Sequence, residues 1–184
     1  MKYNSKFQEQ IILSKLKKAE PEAFNDLYNY YIDRIYRFVY FKVPTVEEAE
    51  DLTSEVFLKT WQYLLNENRE IKNLQALLYQ IARNLVVDFY RKKSHADFIN
   101  DSDILSQIED SRQQSLLSKI DKNVDIIRIE KVLKTLKDEY KEVVILHYIE
   151  ELSVKEISNI LNKSRGAVRV LIHRALTIIR GQIN

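Results

Sequence analysis

Glycine and proline are so scarce in this chain that few kinds of fold remain open to it. Its 184 residues include two of each, although these are the residues that interrupt helices and form most tight turns. The length allows one ordinary domain or two small ones. Because Leu, Ile, Lys and Glu are abundant, we predict an all-α fold.

Other absences exclude whole classes of protein. Cysteine does not occur, so disulfides and thiolate metal ligands are excluded. No apolar run approaches the roughly 18 residues of a membrane span. The N-terminus leads into an amphipathic stretch rather than the apolar core of a signal peptide. We therefore expect a cytoplasmic protein that is not inserted in a membrane.

No arrangement of residues in the sequence is typical of an enzyme site. His95, His147 and His173 are not spaced as metal ligands. There is no glycine-rich phosphate loop, and the carboxylates are predicted to lie on solvated helix faces, where an acid–base role cannot be told from a role in solubility. We predict no catalytic residue, no metal and no cofactor.

Two helical blocks flank a polar middle segment. In the first block, apolar residues recur at spacings of three and four along one long helix, which Val43 and Pro44 should end. Residues 45–48 have the pattern of a capping box that opens a second helix, and a third helix is predicted over 74–93. The apolar face of the first helix comprises Phe24, Leu27, Tyr28, Tyr31, Ile35, Phe38 and Val39.

The middle segment is acidic as well as polar. Between residues 95 and 125, seven acidic side chains outnumber three basic ones, and no apolar period is sustained. We predict two small helical domains, 1–94 and 124–184, joined by a flexible acidic linker over 95–123. In the second block, the helical period resumes at Ile129, Val132, Leu133, Leu136, Tyr140, Val143, Val144 and His147.

The C-terminal end has the pattern of a helix-turn-helix. Residues 153–156 form a second capping box, which opens a short helix. Asn162 can take the left-handed conformation that ends this helix, and a last helix follows from Ser164 to about Arg180. The core face of the last helix is predicted to hold Val168, Leu171, Ile172, Ala175 and Ile179.

Charge distinguishes this last helix from an ordinary one. From residue 157 to residue 184 the chain has no Asp or Glu. Arg165, Arg169 and His173 fall on the side opposite the predicted core, as in a helix that enters the major groove. Basic charge alone favours a solvated helix face, but the helix-turn-helix pattern and the missing acidic residues together favour DNA binding.

The second and third helices of the first block each have an unusual outer face. On the second, Leu58 lies between carboxylates, which predicts a protein-docking patch of Asp51, Glu55, Leu58 and Gln62; the alternative is one more scattered exposed leucine. Trp61, at the rim, is interpreted as core.

On the third helix of the first block, cations, amides and two rim tyrosines, Tyr79 and Tyr90, suit a nucleic-acid single strand. A tyrosine-rich helix packed on a neighbour fits the pattern equally well.

Three segments, in this order and spacing, resemble the extracytoplasmic-function sigma factors. Residues 51–61 (DLTSEVFLKTW) resemble their core-polymerase-binding helix, and residues 81–91 (IARNLVVDFYR) their promoter-melting helix. Residues 153–158 (SVKEIS), followed by 164–169 (SRGAVR) and 172–175 (IHRA), resemble their reader of the upstream promoter element. The likeness covers nearly the whole chain outside the first residues and the linker.

The resemblance implies a transcription-initiation factor with core RNA polymerase, promoter DNA and an anti-sigma factor as partners. Its first domain would dock on the polymerase clamp through the patch around Leu58 and melt the minus-ten element. Its acidic linker would thread through the polymerase channels. The implied minus-ten contacts are Asn68, Arg69, Gln80, Arg83, Asn84, Val87 and Arg91. The implied minus-thirty-five contacts are Ser164, Arg165, Arg169, His173 and Arg174.

The chain departs from the family within the last helix. Ala167 stands where the family usually has Thr, and Val170 and Leu171 stand where it has Ser and Arg, so the helix has fewer hydrogen-bonding groups with which to read bases. A helix-turn-helix activator or repressor is the main alternative, and it predicts a dimer with a ligand pocket. A helical adaptor would leave the charge asymmetry unexplained, and a nucleic-acid enzyme would lack metal ligands.

Overall fold

All the regular secondary structure in the part of the chain that the structure describes is helical. This structure is a computed structural model, and it describes residues 2–18, 20, 22–65, 71, 73–97 and 124–183. A π-helical turn, Ile145–Ile149, directly follows the sixth helix. The α-helices are α1 (Lys2–Lys17), α2 (Ala23–Tyr40), α3 (Val46–Leu64), α4 (Leu74–Asp97), α5 (Val124–Lys134), α6 (Asp138–Val144), α7 (Val154–Leu161) and α8 (Arg165–Ile183).

The predicted all-α fold is confirmed, and most of the predicted helix starts agree with the structure. The second and third predicted helices begin at Val46 and Leu74, and α4 continues to Asp97, four residues beyond the predicted end. The rest of the predicted linker, 98–123, lies outside the described residues. Internal contacts divide the chain into two units, Met1–Val39 with Glu47–Ser102 and Tyr40–Val46 with Asp103–Asn184.

The core of the first unit follows most of the predicted apolar periods, but Tyr28, Tyr79 and Trp61 depart from them. Tyr28 was predicted to lie on the core face but is exposed, although the centroid of its ring lies 4.7 Å from that of the Phe57 ring. Tyr79 was predicted at the rim of an outer stripe but is fully buried, edge-on to Phe38 with ring centroids 5.3 Å apart. Because α4 is packed on more than one side, its buried arc is wider than a single stripe.

Glu9 makes one of the contacts that hold helix α1 against the rest of the first unit. The backbone N–H of Gln75, in the first turn of α4, donates to Glu9 Oε1 at 3.0 Å. The next free N–H of that turn, on Ala76, donates to Asn73 Oδ1 at 2.8 Å. Burial raises the pKa of the Tyr31 phenol, and the nearby Glu9 carboxylate raises it further, although the buried hydroxyl makes no well-formed hydrogen bond with a described residue.

Removing the Glu9 carboxylate is expected to destabilise the first unit. Glu9→Ala leaves the Gln75 N–H without its acceptor, a loss comparable to that of a helix N-cap, about 0.5–2 kcal/mol. Glu9→Gln keeps an acceptor oxygen and should lose less. The measurement is urea unfolding of each variant, with Gln10→Ala, an exposed neighbour on the same helix, as the control. Equal unfolding midpoints for Glu9→Ala and Gln10→Ala would contradict this capping contribution.

The second unit is built around α8, against which α6 and α7 pack. The single helical period predicted from Ile129 to His147 is wrong, because the chain breaks between α5 and α6. Thr135 Oγ1 donates to Val132 O at 2.7 Å, and the N–H groups of Thr135 and Leu136 close two short turns. This local hydroxyl bond competes with helix continuation. Lys42 Nζ and Glu142 Oε1, 2.6 Å apart, form a buried ion pair in the same unit.

Candidate functional site

The outer face of α3 carries the predicted docking patch. Leu58 is 56% exposed, although Val56 and Phe57 beside it belong to the core. Asp51 and Gln62 are exposed and Glu55 is half-buried. Glu55 Oε1 lies 3.3 Å from Lys59 Nζ, so one carboxylate of the patch has a cation of the same helix beside it.

The exposed apolar surface on α3 is larger than the sequence analysis predicted. Trp61 was interpreted as core, but the structure leaves it 40% exposed, with its ring edge-on to Phe24. Leu65 follows one turn later and is also exposed. Residues 58, 61 and 65 are spaced as one side of a helix, and this spacing is the signal that could have revealed them. Leu58, Trp61 and Leu65 form an apolar stripe that runs along α3 and one residue past its end.

The outer face of α4 combines polar and apolar groups. Asn84, Val87 and Arg91 are exposed, and Gln80 and Arg83 are half-buried beside them. The Arg91 guanidinium lies 3.0 Å from Asp88 Oδ1 on the same helix. Tyr90 is exposed at the rim, so it is the one rim tyrosine that can stack on a base. Asn68 and Arg69, two of the implied minus-ten contacts, lie outside the described residues.

A cleft of about 450 Å³ lies between α3 and α4, and it is an open groove with a charged lining. Pockets for small ligands are mostly apolar with few charged groups. This cleft therefore does not have the character of the ligand pocket that an activator or repressor would need. Its lining residues are Leu52, Glu55, Lys59, Leu85, Asp88, Phe89, Lys92 and Lys93.

The turn between α7 and α8 is fixed by local hydrogen bonds, and the predicted cap and turn are confirmed. Ser153 and Glu156 form a reciprocal capping box at the start of α7. Asn162 ends that helix in the left-handed conformation, with φ 50° and ψ 45°. Ser164 Oγ accepts the N–H of Ala167 at 3.2 Å, so the predicted contact Ser164 also caps α8. These bonds fix the direction in which α8 leaves the turn.

The two faces of α8 are clearly separated. Val168, Leu171, Ile172 and Ala175 are buried as predicted, and Ile179 is half-buried. Arg165, Arg169 and His173 are exposed on the other side, and Arg174 is exposed but lies off that face. Among the described residues, no acidic side chain lies within 4.0 Å of any of these arginines. Their charges are therefore available to an anion outside the chain.

Comparison with known proteins identifies the family to which these surfaces belong. A family model described as Sigma-70 region 2 matches residues 27–96, and one described as Sigma-70, region 4 matches residues 126–179. The ECF RNA polymerase sigma factor SigW of Bacillus subtilis is 33% identical over 180 residues, which cover 93% of this chain and 94% of SigW. The chain belongs to the ECF (extracytoplasmic-function) sigma factors of the sigma-70 family.

Further relatives agree with this assignment. The ECF RNA polymerase sigma factor BldN of Streptomyces coelicolor is 29% identical over 167 residues, which cover 90% of this chain but 62% of BldN. The solved structure of CnrH in complex with the cytosolic domain of CnrY matches with a TM-score of 0.70 at 18% identity, covering 96% of this chain and 97% of that chain. That likeness establishes the fold.

As an ECF sigma factor, the protein directs promoter recognition and transcription initiation by RNA polymerase. Sigma factors are non-enzymatic regulators of initiation. Within the described ranges, no helix is both long and apolar enough to cross a membrane. The same ranges contain no group of His, Cys, Asp and Glu that could hold a metal ion.

Proposed function

We propose that this ECF sigma factor divides its work between two domains. Residues 1–94 dock on the clamp of core RNA polymerase and melt the minus-ten element, and residues 124–184 bind the minus-thirty-five element as duplex DNA. The acidic segment 95–123 joins them and passes through the polymerase channels, where acidic groups suit a cavity built to hold nucleic acid. The chain itself catalyses no reaction and acts in the cytoplasm, with polymerase and promoter.

One observation carries the proposal for the C-terminal domain: α8 has an exposed basic face in a stretch of chain without acidic residues. An α-helix fits the major groove, and Arg can donate two hydrogen bonds to one guanine edge. Arg165, Arg169 and His173 share that face, so they would meet the same groove. Ser164, in the turn before α8, would approach a phosphate. Arg174 lies off the basic face of α8, where a phosphate contact is expected.

The outer faces of α3 and α4 support separate functions for the first domain. On α3, the apolar stripe rimmed by Asp51, Glu55 and Gln62 has the composition of a protein interface. On α4, exposed Asn84, Val87 and Arg91 offer an amide, an apolar contact and a cation to an unpaired strand. Gln80 and Arg83 extend this surface, and Asn68 and Arg69 belong to the loop proposed to capture a flipped base.

An anti-sigma factor is a further proposed partner. The solved relative RpoE from Bartonella quintana is bound to the anti-sigma factor NepR; it matches with a TM-score of 0.69 at 20% identity, covering 88% of this chain and 97% of that chain. CnrH is likewise bound to the cytosolic domain of CnrY. The α3 stripe, which core polymerase would cover, offers such a partner exposed apolar surface.

The proposed function is tested by reconstitution. The purified chain is mixed with core RNA polymerase, and the complex is used to transcribe a library of randomised promoters. Enrichment of sequences that share two spaced elements is the expected result. A chain that does not bind core polymerase, or tight sequence-specific DNA binding by a dimer without polymerase, would contradict the proposal and favour an activator or repressor.

Asn84→Ala is expected to slow open-complex formation severalfold while leaving core binding unchanged, because its amide would pair with the edge of a flipped base. The measurement is the rate of 2-aminopurine fluorescence increase on a promoter selected from that library. The control is Asn29→Ala, an exposed asparagine on α2. Melting of the Asn84→Ala complex at the wild-type rate would remove Asn84 from the strand-opening surface.

A further inference from the structure

Both glycines of the chain lie in α8. Gly166 lies in the first turn of that helix, where neither the backbone conformation nor the packing requires a glycine. Its φ is not positive, so the backbone there does not require glycine. A Cβ added to Gly166 would meet only Ser164 Oγ within 4 Å, at 3.9 Å, which is an ordinary contact. Glycine favours a helix less than alanine does, so the stability of α8 alone would be better served by a larger residue.

Gly166 also lies on the basic face of α8. Residues 166, 169 and 173 are separated by three and four positions, so they lie on one side of the helix, and all three are exposed. The N-terminal part of a recognition helix is the part that contacts base edges. A position without a side chain lets another molecule approach the helix backbone more closely than a Cβ would permit.

We propose that Gly166 sets how deeply α8 enters the major groove, with DNA atoms packed directly against its Cα. This inference rests on the proposed function of α8 as the upstream-element reader. A Cβ at residue 166 would hold the start of the helix away from the base edges. Arg169, one turn further along the same face, would then lose the short, directional hydrogen bonds on which base readout depends. Gly166 is thereby a specificity-determining residue.

The test uses the full chain bound to core polymerase and a duplex carrying the upstream element selected from the random library. The variants are Gly166→Ala and the bulkier Gly166→Leu. The matched control is Gly181→Ala, the same substitution in the same helix, at a site where an added Cβ meets nothing within 4 Å. Residue 181 lies fifteen positions along α8, roughly 22 Å from residue 166.

The expected result is that Gly166→Ala weakens binding to the selected duplex at least about fivefold and Gly166→Leu weakens it further. The thermal midpoint of Gly166→Ala should be no lower than that of the wild type, and Gly181→Ala should bind normally. If Gly166 were needed only for folding, its replacement would lower both the thermal midpoint and the DNA affinity. A lower affinity without a lower thermal midpoint therefore indicates a contact with DNA.

Three other results would overturn the inference. If Gly166→Ala binds the selected duplex with wild-type affinity while Arg169→Ala binds it weakly, Gly166 is not in the interface, but α8 remains the reader of the upstream element. A lowered thermal midpoint for Gly166→Ala would assign the glycine to folding. Wild-type affinity for both Gly166→Ala and Arg169→Ala would instead remove α8 as the reader, so failure of the proposed function is distinguishable from failure of this inference.

Discussion

Leu58→Lys is expected to weaken binding to core RNA polymerase at least tenfold, which is about 1.4 kcal/mol. Leu58 is exposed on α3, so its replacement removes no core packing from the free protein. In the proposed interface the leucine is covered by the polymerase, where an ammonium group would lose its hydration without gaining a partner. The measurement is a titration of the full chain with core polymerase, with circular dichroism showing that the variant remains folded.

The control for this change is Phe7→Lys on α1. Phe7 belongs to the same unit and is about as exposed as Leu58, so the substitution removes a similar apolar area and adds the same charge elsewhere. Phe7→Lys should bind polymerase normally. A folded Leu58→Lys protein with wild-type affinity would remove the α3 stripe from the interface, and equal losses in both variants would point to a general effect of added charge.

Arg169→Ala is expected to weaken binding to the selected promoter by about 1–3 kcal/mol and to relax preference at one or two positions of the upstream element. Arg169 is exposed on the face of α8 opposite buried Val168 and Ala175, so the folded protein loses no core packing. A bidentate contact to one guanine depends on that base pair. The measurement is transcription or binding across single-base variants of the upstream element.

Arg174→Ala serves as the matched comparison, because it removes an arginine from the same helix at a position off the basic face of α8. A phosphate contact weakens all sequences alike, and its loss reduces the salt dependence of binding by about one ion. We therefore expect a uniform loss of affinity for Arg174→Ala and a base-dependent loss for Arg169→Ala. Identical base preferences in Arg169→Ala and the wild type would contradict readout by Arg169.

The departures of α8 from the family pattern also have a consequence for isolated domains. Leu171 is buried and Val170 is exposed, so neither supplies the polar group that the family usually has at these positions. The fragment from Val124 to Asn184 is expected to bind DNA weakly, and specificity should emerge when polymerase holds both domains on one promoter. Tight, sequence-specific binding by that fragment would favour the activator or repressor alternative.

The local features of the fold were predictable from the sequence because the atoms that produce them are close along the chain. The capping box joins Ser153 to Glu156, three residues away, and the turn at Asn162 depends on the backbone of that residue. The core faces of α2, α3 and α8 follow from helical spacing in the same way. The exposed basic face of α8 was predictable because helical spacing puts its apolar residues on one side of the helix and its cations on another.

Only the tertiary structure determined which surfaces other parts of the chain would cover. Tyr79 is buried because Phe38, about forty residues earlier in the sequence, packs against it. Glu9 caps α4 across 66 residues of chain. Trp61 packs against Phe24, 37 residues earlier, yet stays 40% exposed. Helical spacing gives the side of the helix on which a residue lies, but burial depends on distant segments that fold against that side.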